Sequence, residues 1–142
     1  RRAAALAESL SELGLPVVYP GLPTHPDHGL LMRLANPDFG HGGVLTLDLG
    51  TRERAFEFMR RLQNEHRFGL MAVSLGFSET LMSCSAASTS SEMPDDELER
   101  AGIRPGLVRL SIGYTGTLEQ RWAQLRTVLE DMDLIATTGA HR

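Results

Sequence analysis

Two phrases in this chain hold the residues best suited to chemistry. Pro105-Gly106-Leu107-Val108-Arg109-Leu110-Ser111-Ile112-Gly113 sets one arginine in the middle of an otherwise apolar run, and Ala72-Val73-Ser74-Leu75-Gly76 ends an apolar run on a serine at a turn. A guanidinium in such a strand calls for a carboxylate or phosphate partner, and its planar fork matches a carboxylate bidentately. A hydroxyl beside the backbone N–H groups of a turn can hold an anion as well. Together Arg109 and Ser74 suggest a site for a small anionic group. A surface arginine on an exposed sheet face, and a turn serine bonded to its own backbone, fit the same spacing.

Other chemistries find little support. All 14 basic residues are arginines, so the chain holds no lysine to form an imine with a carbonyl compound. His25 and His28 lie in a Pro-rich loop and His41 in a Gly-rich turn, away from the single cysteine, Cys84; this is not the paired clustering of a structural zinc site, and no metal is expected. Cys84 has no assignable histidine–carboxylate pair and is not expected to act as a nucleophile. A net charge of −4 lacks the basic footprint of a nucleic-acid binder. No apolar run approaches the length of a membrane span. One cysteine fits a reducing, cytoplasmic setting.

The elements that must position these residues follow from periodicity. Leu6, Leu10 and Leu13 predict a helix ending near Gly14, with no capping residue ahead of it; a frayed start and a helix missing its first turns both account for this. Val17 to Tyr19 reads as a short strand, and Leu30, Leu31 and Leu34 as a short helix stopped before Asn36-Pro37. Val44 to Leu49 alternates as a strand, and Thr51 is the expected N-cap of a helix carrying Ala55, Phe56, Met59 and Leu62. Leu70 to Val73 and Thr80 to Ser83 read as short strands flanking a turn at Leu75-Gly76, and Cys84 to Ser91 as loop. Pro94 opens a short helix with Gly102 as its cap. Leu107 to Ile112 is a strand with Arg109 facing away from Val108 and Leu110. Thr117 and Gln120 cap a last helix striped by Leu118, Trp122, Leu125, Leu129 and Met132, with a frayed tail after Leu134. The expected fold is one α/β (α+β) domain: a small mixed, largely antiparallel sheet with helices covering one face.

The two phrases resemble the C-terminal domain of the Cys/Met-metabolism (trans-sulfuration) enzymes, the pyridoxal-phosphate (PLP) family related to cystathionine γ-synthase, cystathionine γ-lyase and methionine γ-lyase. Tyr19-Pro20-Gly21-Leu22-Pro23-Thr24-His25-Pro26, Phe68-Gly69-Leu70, Glu79-Thr80-Leu81 and Ala101-Gly102-Ile103 carry the likeness in family order. It implies that residues 1–142 are the small C-terminal domain of a fold-type I enzyme whose PLP-binding domain and catalytic lysine lie upstream. It implies substrate binding by Arg109, which would grip the α-carboxylate, by Ser74 beside it, and by Glu79 near the distal end of the side chain; a solvated surface glutamate is the plain alternative for Glu79. The implied activity is carbon–sulfur γ-elimination from methionine or cystathionine, in a cytoplasmic homotetramer. The alternatives are γ-replacement, as in a cystathionine γ-synthase or O-acylhomoserine sulfhydrylase, and a non-catalytic interaction domain. Two stretches depart from the pattern. Ser83-Cys84-Ser85-Ala86-Ala87-Ser88-Thr89-Ser90-Ser91 lacks the histidines of the family's His-Pro-Ala and Met-Thr-His, and Tyr114-Thr115-Gly116 replaces an acidic stretch.

The missing lysine gives a direct test. Pyridoxal phosphate mixed with this chain should produce no stoichiometric Schiff-base absorbance that survives dialysis once the N-terminal amine is blocked. A persistent band would show that another group captures the aldehyde.

Overall fold

Alternation of apolar side chains decides which way the sheet faces. A computed structural model of the chain describes residues 1–88 and 92–137; Thr89, Ser90 and Ser91 of the serine-rich segment, and residues 138–142 of the tail, lie outside the described residues. Five strands form one sheet: β1 (Val17–Val18), β2 (Val44–Asp48), β3 (Gly69–Met71), β4 (Thr80–Cys84) and β5 (Leu107–Ser111), in the spatial order β1-β2-β5-β4-β3. Neighbours run antiparallel except β3 and β4, which are parallel. The last of the five in chain order therefore occupies the middle.

Leu45 and Leu47 of β2, Val108 and Leu110 of β5, and Met82 and Cys84 of β4 share one face and are buried. Three helices join the core that covers it. Helix α1 (Arg2–Glu12) contributes Ala3, Leu6, Ala7 and Leu10. The seven-residue α2 (His28–Leu34) buries nothing, and Leu34 is 77% exposed. Helix α3 (Arg52–Asn64) starts on Thr51, whose hydroxyl accepts from the Arg54 N–H. Its buried stripe is Ala55, Phe58, Met59 and Leu62, the i, i+3, i+4, i+7 set of a single face. Phe56, expected on that stripe, stands off it and is 40% exposed. The short α4 (Asp95–Arg100) closes with Gly102 in the left-handed region, at φ +72°. Helix α5 (Leu118–Asp131) is capped by the Thr117 hydroxyl, which accepts from the Gln120 N–H. It buries Leu125, Val128 and Leu129. Trp122 is only partly buried, beside Ala5, Leu6 and Ser9 of α1 in the groove between the two helices.

Among the described residues, the buried stripes of α1, α3 and α5 all join the core on that first face, and the other face is the more open one. Its middle row runs Val18, Thr46, Arg109, Ser83 across four strands, as the registers require. Val18 is 50% exposed, whereas Ser83 is buried. Where a turn is expected at Leu75-Gly76 the chain only bends at Gly76, at φ +70°, with no turn hydrogen bond closing it among the described residues. It does not fold two antiparallel strands together; residues 72–79 return the chain to the start of a parallel neighbour without a helix. That linker is held close at one point by glycine. A Cβ on Gly113 would strike the backbone of Ser78, Glu79 and Thr80, so only glycine allows the linker to meet the end of β5 there.

The burial difference along α5 sets an ordering. Leu125→Ala should cost about 2–5 kcal/mol and Trp122→Ala clearly less, since part of the indole stays in solvent. Chemical denaturation followed by circular dichroism measures both; equal losses would place Trp122 deeper than the groove between α1 and α5.

Candidate functional site

Arg109 sits on the central strand with Thr46 opposite on one side and Ser83 on the other. Its Nη2 donates to the Val73 carbonyl at 2.8 Å and to the Ser74 carbonyl at 3.1 Å. The Gly76 N–H donates to the Ser111 hydroxyl at 3.2 Å, two residues along the same face. The arginine and the serine phrase, distant in sequence, thus meet on the open face of the sheet. The hydroxyl of exposed Ser74 makes no hydrogen bond among the described residues, so it is not consumed by its own turn. The Arg109 Nη1 group likewise has no partner there, and Nε is buried without one.

This geometry differs in one respect from a fork wholly free for a ligand. One guanidinium nitrogen, Nη2, is committed to backbone carbonyls of the linker, so Nη1 is the edge presented to an incoming anion. The linker also gives the neighbourhood its character. Val73, Leu75 and Phe77 are each more than half exposed, and Ala72 to Ser78 carries no charged side chain. A cation ringed by apolar surface suits a ligand with a carboxylate at one end and an apolar chain behind it.

Glu79 is placed apart from this pair. Its carboxylate accepts from the Thr115 hydroxyl at 2.8 Å and pairs with Arg121 at 3.4 Å. Arg121 also donates to the Thr115 and Arg67 carbonyls and to the Thr115 hydroxyl. The first residue after the linker is therefore tied to the segment that follows β5 and to α5. Thr115, in the stretch where the family's acidic residues are missing, is the hinge pin of that joint. Spacing in sequence did not reveal Arg121; only its position on the first turn of α5, facing the strand ends, gives it five polar contacts. The histidines take local roles: His25 Nδ1 accepts from the Asp27 N–H, and the His28 ring lies 3.0 Å from the Pro20 carbonyl. Among the described residues no group of three His, Cys, Asp or Glu side chains is arranged to hold a metal ion, and no helix is long and apolar enough to cross a membrane.

A concavity of about 820 Å³ lies elsewhere, between Thr51 at the start of α3 and Ala86, Leu98 and Ile103. Arg109 and Ser74 do not line it. Their site is an open surface of the sheet.

Comparison with known proteins supplies the context for that site. The sequence profile of the family described as Cys/Met metabolism PLP-dependent enzyme matches residues 1–120. A methionine gamma-lyase of Arabidopsis thaliana is 56% identical over 123 residues, covering 87% of this chain and 28% of the relative. A cystathionine gamma-lyase of Macaca fascicularis is 35% identical over 126 residues, covering 88% of this chain and 27% of the relative. The crystal structure of a cystathionine gamma synthase from Xanthomonas oryzae pv. oryzae, in complex with cystathionine, superposes with a TM-score of 0.78 at 32% identity, covering 94% of this chain and 33% of that one. The chain spans about a quarter to a third of the length of the relatives it matches. It belongs to the Cys/Met metabolism PLP-dependent enzyme family.

The Arg121 joint is open to direct test. Arg121→Ala removes the donor shared by Thr115, Arg67 and Glu79, and should destabilise the protein by roughly 2–4 kcal/mol because carbonyl and carboxylate acceptors lose their partner. Urea denaturation reads the loss; a change below about 0.5 kcal/mol would show that solvent replaces those bonds freely.

Proposed function

We propose that this member of the Cys/Met metabolism family is the substrate-carboxylate-binding part of a carbon–sulfur lyase that eliminates the γ-substituent of methionine. The carrying observation is the meeting of Arg109 with the Val73–Ser74 linker on the sheet face opposite the helical core. Pyridoxal phosphate, the family's cofactor, supplies an electron sink for carbanion chemistry at the substrate's α-carbon. The residues present here do not fit its covalent attachment, because the chain contains no lysine. In this reading an upstream domain provides the lysine and closes over the open face, in a homotetramer.

This chain's own contribution is orientation. Arg109 Nη1 donates to a substrate carboxylate oxygen, while Nη2 keeps the linker in place. The Ser74 hydroxyl donates to the second oxygen. Fixing the carboxylate at two points sets the rotation of the amino acid about its α-carbon, and such positioning removes a large part of the entropic barrier. The apolar side chains of Val73, Leu75 and Phe77 then accept a thioether tail and keep water from it. Glu79, tied to Thr115 and Arg121, acts in this reading as the fastener of the linker rather than as a ligand to the tail.

Two observations favour elimination from methionine over γ-replacement. Identity is higher to the methionine gamma-lyase, at 56%, than to the cystathionine gamma synthase, at 32%. The uncharged linker also offers nothing to the second ammonium and carboxylate of a cystathionine.

The test uses the full-length enzyme. Arg109→Lys keeps charge and loses the planar fork; Arg109→Ala loses both. Both should lower kcat/KM for methionine, alanine more than lysine, with the alanine enzyme falling by roughly two decades. Cofactor absorbance should stay unchanged in each. Near-normal kcat/KM in Arg109→Ala would reject the carboxylate role, and loss of cofactor together with activity would assign Arg109 to the fold.

A further inference from the structure

Among the described residues, two buried side-chain nitrogen or oxygen atoms lack a hydrogen-bond partner: Ser83 Oγ and Arg109 Nε. They belong to residues directly opposed on β4 and β5. Opposed residues project from the same face, with Cβ atoms about 4.5–5.5 Å apart. Two orphaned polar atoms in unrelated places would each need their own account. Two facing each other across one rung of the sheet share one.

We propose that Ser83 is a positioning residue for Arg109, acting through one water held between its hydroxyl and the Nε–H of the guanidinium. Nε–H can only donate, whereas a serine hydroxyl both donates and accepts. A water accepting from Nε–H and donating to Ser83 Oγ satisfies both atoms, and buried waters take such positions beside otherwise unpaired groups.

The consequence falls on the plane of the guanidinium. Nη2 is fixed by the Val73 and Ser74 carbonyls at one corner. Held there alone, the group pivots. A second anchor at Nε, whose N–H points along the same edge of the guanidinium as Nη2, stops the rotation and leaves Nη1 as the free corner. Ser83 would therefore govern how well the free edge meets a carboxylate without touching the substrate itself. This rests on the reading of Arg109 as the carboxylate binder.

A double-mutant cycle in the full-length enzyme tests it, with Ser83→Ala, Arg109→Ala and the pair, and Ser83→Thr as the variant that keeps the hydroxyl. Two readouts are taken: KM and kcat for methionine, and the thermal midpoint. Ser83→Ala should raise KM roughly tenfold, with kcat and cofactor absorbance little changed, and Ser83→Thr should restore much of the loss. In the Arg109→Ala background, Ser83→Ala should change neither KM nor the midpoint further. Equal effects of Ser83→Ala in both backgrounds would overturn the proposal, as would a raised midpoint in the single variant, since removing a hydroxyl that has no partner stabilises. If Arg109→Ala alone leaves KM normal, the carboxylate reading fails, and coupling of the midpoints still decides whether Ser83 and Arg109 share a water. Should Ser83→Ala fail to fold, Ser83→Cys, close in volume and weak in hydrogen bonding, takes its place in the cycle.

Discussion

One guanidinium nitrogen joins the two halves of this structure. Arg109 Nη2 belongs to the middle strand, and the carbonyls it meets belong to the linker that returns the chain from β3 to β4. A short connection between parallel neighbours is unusual, because most such pairs need a helix to span the distance. Here the linker is bound instead to what it crosses. It is held by Arg109 near its start, by Ser111 at Gly76, and by the Thr115–Arg121 joint at Glu79. Without a cation on the open face of β5, two of its backbone carbonyls would have no donor there. The same contact that supports the fold places Ser74 beside the charge it is expected to serve.

What could be read from the sequence divides along physical lines. Where one element carries the whole signal, the reading is sound: β5 alternates, so Val108 and Leu110 are buried and Arg109 faces away. The Thr51 and Thr117 caps follow from local hydroxyl chemistry and are present. Errors arise where a helix stripe is wider than a few letters suggest. Phe58 rather than Phe56 completes the i, i+3, i+4, i+7 set of α3, and Val128 joins Leu125 and Leu129 while Trp122 stays at the margin of α5. Strand register was not legible. Nothing in the letters of Thr46 or Ser83 says that they flank Arg109, because pairing depends on loops whose lengths do not fix it. The family resemblance supplied Glu79 as a candidate, but only coordinates show its carboxylate already engaged.

The open face is chemically mixed. Its polar row of Thr46, Arg109 and Ser83 is bordered by exposed Val18, Val73, Leu75 and Phe77. That mixture of one cation, several hydroxyls and surrounding apolar surface is what the floor of a pocket looks like before its roof is added.

The strand order has a temporal side. β5 pairs with β2 and β4 at once, yet of the five strands it is the last to leave the ribosome. While the preceding residues emerge, β2 can pair only with β1, and β4 only with β3, as two ribbons with unsatisfied edges. Neither ribbon presents the full apolar face on which α1 and α3 must rest. Insertion of Leu107–Ser111 between them closes the sheet in one step across a long stretch of intervening chain, the kind of event that limits folding rate. Arg109 arrives with that strand. The residue that would recognise a substrate thus enters the molecule at the moment the sheet becomes continuous, so a nascent chain has no partial version of the site to misuse.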